Sequence, residues 1–373
     1  MKDVVIIGGG LSGLVSSILL SQNGLKVTLI EKNTYPFHRV CGEYISNEVV
    51  PFLKKHGLFP ESFAPSNISR LSISDFNGKS FFRPLGLGGF GISRYEFDRW
   101  LVAQATKKGV EILEGTKAED VSFENDTFSI QTNKTGEIQS KIVISAYGKR
   151  STLDKSFDRD FIKRRSPYVG VKYHIKTDMD NDLIELHNFE GGYCGVSAVE
   201  DGKYNMCYLV HRDQVRKAGN IETLERTVLS KNPALAKHIH ESHRLFDKPE
   251  VINEITFEKK EPVHQHIFMV GDAAGMITPL CGNGMAMAIG GGKLIAETIL
   301  SHWNEGRFNR KKLEQAYIQQ WDQKFSKRLW AGRQIQRAFF GSKLSANLAV
   351  GLGRNFGGIT NFLISKTHGR PFE

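Results

Sequence analysis

The sequence predicts an α/β protein, and three observations carry that expectation. Residues 3–7 (DVVII) form an apolar run that leads into Gly8, Gly10 and Gly13 in G-x-G-x-x-G register, followed by helical composition over 14–23. A second apolar run over 26–30 ends on Glu31. Much later, 266–270 (HIFMV) opens onto Gly271-Asp272-Ala273-Ala274, Pro279 and Gly282-Asn283-Gly284-Met285, with a helix expected through residue 301. Strand, glycine turn, helix, strand and acid in that order predict a Rossmann-like dinucleotide-binding domain.

Each element has a physical task. The glycines permit a tight turn and let the backbone approach a pyrophosphate. Leu11 and Ser12 open a helix whose free N–H groups and positive dipole end favour an anion. The Glu31 carboxylate, with Lys32 beside it, is placed to accept hydrogen bonds from an adenosine ribose. Asp272, at the end of the later strand, suits a ribityl or ribose hydroxyl. The turn at Gly282 and Gly284 aims a second helix start at whatever lies ahead, which suits the negative charge of a reduced flavin. The alternative for both motifs is a glycine turn with a structural role only.

At these residues the chain resembles the FAD-dependent monooxygenase and geranylgeranyl-reductase superfamily, in its Gly-Asp-Ala, Pro and Gly-x-Gly loop. Two further segments extend the resemblance. Residues 94–101 match an R-x-x-F-D-x-x-L helix whose Arg, here Arg94, touches the flavin; an amphipathic helix with Arg94 solvated is the alternative. Residues 36–43 match the P-x-x-x-x-C-G-E loop of the reductase branch. The resemblance implies FAD as cofactor, Arg39 near its phosphates, Val121 among the cofactor contacts, and the Cys41-Gly42-Glu43 turn against the flavin ring. Cys41 and Glu43 are then the catalytic candidates. Glu43 would act as a general acid or base if burial raises its pKa, and otherwise would cap the helix over 46–56 or pair with Arg39. Cys41 is either a thiol at the ring or an inert buried residue, and Cys41 facing Cys281 across the flavin would make a redox relay.

The chain also departs from the superfamily pattern. Tyr147 stands where the superfamily has the Asp that assists FAD and NAD(P)H, so FAD binding is retained while NAD(P)H is a weaker candidate for external reductant. The Trp, Phe and Pro of the reductases' substrate strand are missing around Tyr193.

The cofactor motifs are far apart, so the FAD-binding domain is expected to be discontinuous, over 1–62, 92–154 and 263–308. A β-sheet substrate domain is expected over 63–91 and 155–262, and a C-terminal helical segment over 309–373. Strands are expected at 168–175, 183–189, 193–199 and 204–210, the last two joined by a hairpin through Asp201-Gly202. Tyr193, Tyr204, Met206 and Tyr208 are the candidate substrate-pocket residues, with packing against helices over 221–240 as the alternative. The reading is an FAD-dependent oxidoreductase for a hydrophobic lipid, isoprenoid or pigment-like substrate, acting by C=C reduction or desaturation. A monooxygenase using NAD(P)H and oxygen is the alternative.

Composition bounds the remaining choices. With 373 residues and 40% hydrophobic content the chain can bury a large core, which excludes disorder as its main state. Four cysteines show no C-x-x-C pair, His264 and His266 lack a third ligand, and no metal is expected. No signal peptide or spanning segment is read, which suggests a cytoplasmic chain, at most peripheral to a membrane. The net charge of +10 is concentrated at one end: residues 324–373 hold nine basic residues and one acid, interleaved with apolar residues. That pattern suits an anionic membrane surface or an acidic carrier protein more than nucleic acid. A basic membrane-surface or nucleic-acid binder with a vestigial flavin fold is the reading from another class, and a packed helical cap is the plain alternative.

Overall fold

The computed structural model describes residues 1–164, 166–339, 347, 350, 351, 353, 354 and 369–373, and excludes the side chains of 254, 281 and 337–339. The proposed facing of Cys41 and Cys281, and the tail residues Phe340, Lys343, Leu344, Leu348, Phe356, Phe362, Leu363 and Lys366, lie outside the described set.

Apolar runs without alternation suit strands covered on both faces, and at Lys2–Ile7, Val27–Ile30 and the end of Gly136–Ser145 they form the centre of the first sheet. Its order is Val263–His264, Ile267–Met269, Gly136–Ser145, Lys2–Ile7, Val27–Ile30, Glu111–Leu113, and the hairpin Ala118–Glu124 with Thr127–Thr132 adds to Gly136–Ser145. Ile6 pairs in parallel with Leu29 on one side and Ile144 on the other. Two helices cross one face, Leu11–Gln22 and Gly284–His302. They touch closely because a Cβ on Gly292 would lie 2.6 Å from the Ser12 carbonyl oxygen.

The second sheet has nine strands, in the order His243–Arg244, Tyr168–Lys176, Tyr204–His211, Gly192–Ala198, Leu183–Phe189, Ser66–Ser74, Ser80–Gly91, Tyr44–Ser46, with Glu250–Ile255 paired to Tyr168–Lys176. Gly192–Ala198 and Tyr204–His211 form the expected hairpin, turning through Asp201 and Gly202 at φ of 57° and 64°. Tyr44–Ser46 falls within the 1–62 segment read as nucleotide domain, yet it pairs with Ser80–Gly91 of this second sheet. Helices Ile221–Thr227 and Pro233–Glu241 cover the outer face.

The helical segment expected from 309 begins as Arg310–Trp321, a π-helical turn Asp322–Ser326, and Lys327–Phe339. Its beginning is a packed cap: Leu313, Tyr317, Trp321, Phe325 and Leu329 are buried, and Tyr317 Oη donates to the Met269 carbonyl at 2.7 Å.

Candidate active site

A cavity of about 1590 Å³ runs between the two sheets, lined at one end by the glycine loop and at the other by apolar strand residues. The glycine loop divides its labour. Gly8 has φ +108°, and a Cβ there would meet the Ala146 carbonyl oxygen at 2.5 Å; a Cβ on Gly13 would lie 2.1 Å from the Gly8 oxygen. Those two positions therefore close the turn and seat the helix on the strand. Gly10 is different: its Cβ would meet nothing nearer than Arg94 Nη2 at 3.9 Å, and it stands open to the cavity. Gly10 is also the N-cap of Leu11–Gln22 and gives that helix no side-chain cap, so the helix start is left for a ligand.

Glu31 is buried, and its carboxylate accepts from the Gly9 and Asn33 backbone N–H groups at 2.9 and 3.0 Å. Lys32 lines the same end of the cavity. Arg39 donates to Asp98 at 2.9 Å and to the Gly9 carbonyl at 3.2 Å. Arg94 is not solvated: it is 9% exposed and makes two 2.8 Å bonds to Asp98, at the cavity wall. Asp272, Pro279, Gly282, Gly284 and Met285 line the opposite wall, so a second helix start faces the same space. Gly271 and Asn283 shape this loop from behind; the φ of Gly271 is +62°, and a Cβ there would meet Ser12 Oγ at 2.7 Å. Burial pushes the Asp272 carboxyl above the usual range, while Lys260 donates to its carbonyl at 2.8 Å.

Two uncapped helix starts, an open glycine and a buried acid fit an adenine dinucleotide with a flavin. A family model described as FAD binding domain matches residues 1–316. The chain belongs to this FAD-binding family. A digeranylgeranylglycerophospholipid reductase of Methanosarcina acetivorans is 27% identical to it, covering 86% of this chain and 80% of that protein. A flavin-dependent halogenase of Armillaria mellea is 23% identical over 84% of this chain and 72% of its own. Among solved structures, a geranylgeranyl bacteriochlorophyll reductase-like protein of Thermoplasma acidophilum shares the fold at a TM-score of 0.79 and 19% identity, covering 100% of this chain and 96% of that one. The protein is thus an FAD-dependent oxidoreductase.

Several residues need correction. Val121 sits in the core rather than at the cavity; Thr116, Lys117 and Ala118 line the wall there. Strand alternation turns the side chains of Tyr204 and Met206 away from the FAD cavity and toward the covering helices; Tyr208 borders the cavity, while its side chain packs with theirs. Tyr208 Oη donates to Glu225 at 2.8 Å and Tyr204 Oη to Asn181 at 2.6 Å. The opposite register, Cys207 and Leu209, faces the cavity with Tyr193, Gly195 and Ser197. The period of two was visible in the sequence, but which phase faced inward was not.

Glu43 also differs from the expected acid. It is fully buried at φ 54°, accepts from the Arg94 N–H at 2.7 Å, and contacts the Lys172 ammonium and His174 Nε2, the latter at 2.6 Å. Burial alone would raise its pKa, but Lys172 and His174 outweigh that and hold it at about 2. Glu43 is therefore a fixed anion that pins the Cys41-Gly42-Glu43 turn at the cavity against the start of the helix Arg94–Lys107, and it neither caps the helix expected over 46–56 nor pairs with Arg39. Cys41 lines the cavity, and burial pushes its thiol up. Tyr147 Oη donates to Asp154 at 2.7 Å, and Asp154 pairs with Arg159 at 3.0 Å in full burial. Tyr147 thus ties the strand end to the next helix.

Proposed function

We propose that this protein saturates carbon–carbon double bonds of an isoprenoid-like lipid. The observation that carries the reading is the cavity's apolar arm, which extends a space of about 1590 Å³ that also contains the cofactor cradle. Beyond the cofactor cradle its walls include Leu71, Ile73, Phe81, Leu186, Leu209 and Ile335, with Asn188 and Ser197 as polar exceptions. Such a lining rewards a long hydrocarbon and offers little to a polar one. The names of the reductase relatives point to the same substrate class.

Saturating one double bond adds a hydride equivalent and a proton. Bound reduced FAD supplies the hydride equivalent. The chain supplies orientation through the apolar arm, exclusion of water, and a proton. Cys41 is the proposed proton donor, because its thiol stays protonated at neutral pH and returns to that form from solvent. Flavin-loaded protein reduced anaerobically with dithionite is expected to reoxidise when given a geranylgeranyl lipid, with mass gain of two hydrogens per double bond. Cys41→Ser should slow that step while leaving flavin content unchanged. Reoxidation only on admitting oxygen, with oxygen inserted into the lipid, would overturn reduction in favour of a monooxygenase.

The route of entry is part of the same reading. The helix Lys327–Phe339 carries Gln334 and Ile335 on the cavity wall and Trp330 at 61% exposure outside. Not every charge of this segment is free to face lipid, since Arg328 reaches buried Glu48 at 3.4 Å and burial lowers the Lys324 pKa. We place this helix at an anionic bilayer, with Trp330 in the headgroup layer. Trp330→Ala is expected to reduce co-sedimentation with phosphatidylglycerol vesicles several-fold at unchanged flavin content; equal sedimentation would refute the membrane route.

A further inference from the structure

The strand Leu183–Phe189 has two faces with different chemistry. Ile184, Leu186 and Asn188 line the cavity, whereas Glu185 and His187 point to the opposite side, under the helix Pro233–Glu241. There His238 from that helix meets them. The Glu185 carboxylate lies 3.1 Å from His187 Nε2 and 2.7 Å from His238 Nε2, and the three ligand atoms lie within 4.8 Å of one another. Both imidazoles are buried. We propose that Glu185, His187 and His238 form a structural site for a divalent transition-metal ion, Zn²⁺ in the first instance.

The geometry supports a metal in three ways. Ligands on a tetrahedral zinc stand about 3.3 Å apart, given Zn–N and Zn–O distances of about 2.0–2.1 Å, so the two spacings to Glu185 need only a small expansion, and the two imidazole nitrogens lie within 4.8 Å of each other. Each imidazole is oriented through its other nitrogen by a hydroxyl: His187 Nδ1 lies 2.9 Å from Ser74 Oγ, and His238 Nδ1 lies 3.2 Å from Thr177 Oγ1. Those hydroxyls can accept the Nδ1–H, which is how metal-bound imidazoles are held. Third, the ligands come from a strand and a helix, so one ion would clamp the covering layer to the cavity wall. Neither histidine lines the cavity, which assigns the ion to the fold rather than to the flavin chemistry.

The test uses full-length, flavin-loaded protein stripped with a chelator, then titrated with Zn²⁺ by calorimetry and with Co²⁺ by absorption beyond the flavin band. One equivalent per chain is expected, with Co²⁺ bands of a four- or five-coordinate site and an upward shift of Tm on adding Zn²⁺. His238→Gln and Glu185→Gln should abolish the equivalent and the Tm shift, and their flavin content reports whether they fold. Should either fail to fold, Thr177→Val is the second variant, expected to weaken affinity about 10–100-fold. Absence of a stoichiometric site overturns the proposal and leaves the three residues as a hydrogen-bonded cluster. An equivalent that survives the folded variants does so too, by placing the ion elsewhere.

Discussion

Glu43→Ala is expected to destabilise the protein by about 3–5 kcal/mol at pH 7 and to lower flavin content. The magnitude follows from leaving a buried ammonium without its counterion, since Lys172 is as completely enclosed as Glu43. The loss of flavin follows from the geometry: the carboxylate holds a left-handed turn against the start of the helix Arg94–Lys107, and that turn forms the cavity wall. The two effects are measured by urea unfolding and by the flavin-to-protein absorbance ratio. A pH series adds a sign. The folded pKa of Glu43 is about 2, below its ordinary 4.5, so its contribution is present in full above about 4.5 and fades as pH falls toward 2. The stability gap between wild type and Glu43→Ala should therefore close across that acid window. Glu43→Leu combined with Lys172→Met should recover part of the stability, because it removes the unpaired ammonium while the Arg94 N–H and His174 Nε2 still lose their Glu43 partner. A double variant no more stable than Glu43→Ala would show that the turn depends on something other than this pair.

The glycine loop gives the second large effect, and its two halves should fail differently. Gly13→Ala forces a methyl to 2.1 Å from the Gly8 oxygen, so the loop must open whether or not a cofactor is present. Loss of at least about 3 kcal/mol is expected, at or above the upper end for overpacking, together with loss of flavin. Gly10→Val meets no such obstacle: the backbone there is φ −84°, ψ −177°, which any residue adopts, and the nearest atom is 3.9 Å from the new Cβ. The flavin-free protein should keep its stability within about 1 kcal/mol, typical for a change at a helix N-cap. Its flavin content should nonetheless fall close to zero, because the side chain fills the space the pyrophosphate needs. Thermal unfolding of flavin-free forms separates the two; equal destabilisation by both substitutions would refute the assignment of Gly10 to the cofactor.

The parts of the site that could be read from the sequence are those whose chemistry is local. The spacing of Gly8, Gly10 and Gly13 and the position of Glu31 depend on a single strand-turn-helix-strand unit, so the pattern itself implies the contacts. The Asp201-Gly202 hairpin was legible for the same reason, because two positive φ values in succession belong to a short list of turns. What failed was long-range. Nothing near Glu43 in the chain announces Lys172 and His174, which arrive from a strand more than a hundred residues away and reverse the expected shift of its pKa. Tyr193 was grouped with Tyr204, Met206 and Tyr208, yet it belongs to the opposite face; packing against helices over 221–240, the alternative, holds for the side chains of the other three. The cluster of Glu185, His187 and His238 escaped notice because its third member sits on a helix fifty residues along.

The order of strands in the first sheet also bears on how the protein is made. Lys2–Ile7 pairs with Gly136–Ser145, and that strand waits in turn for Ile267–Met269. At about 5–20 residues per second, the ribosome takes roughly 6–25 s to make the 123 residues that follow Ser145 up to and including Phe268. For that interval Ile144 and Ser145 lack this neighbour, although 136–140 already pair with Thr127–Thr132, and the unpaired backbone N–H and C=O groups at that end are open to any other nascent strand. The second sheet, whose central strands are largely joined by short antiparallel connections, can form while the chain is still growing. The cofactor fold is therefore the last to close, and a chain released before Met269 would carry a finished lid over an open, adhesive base.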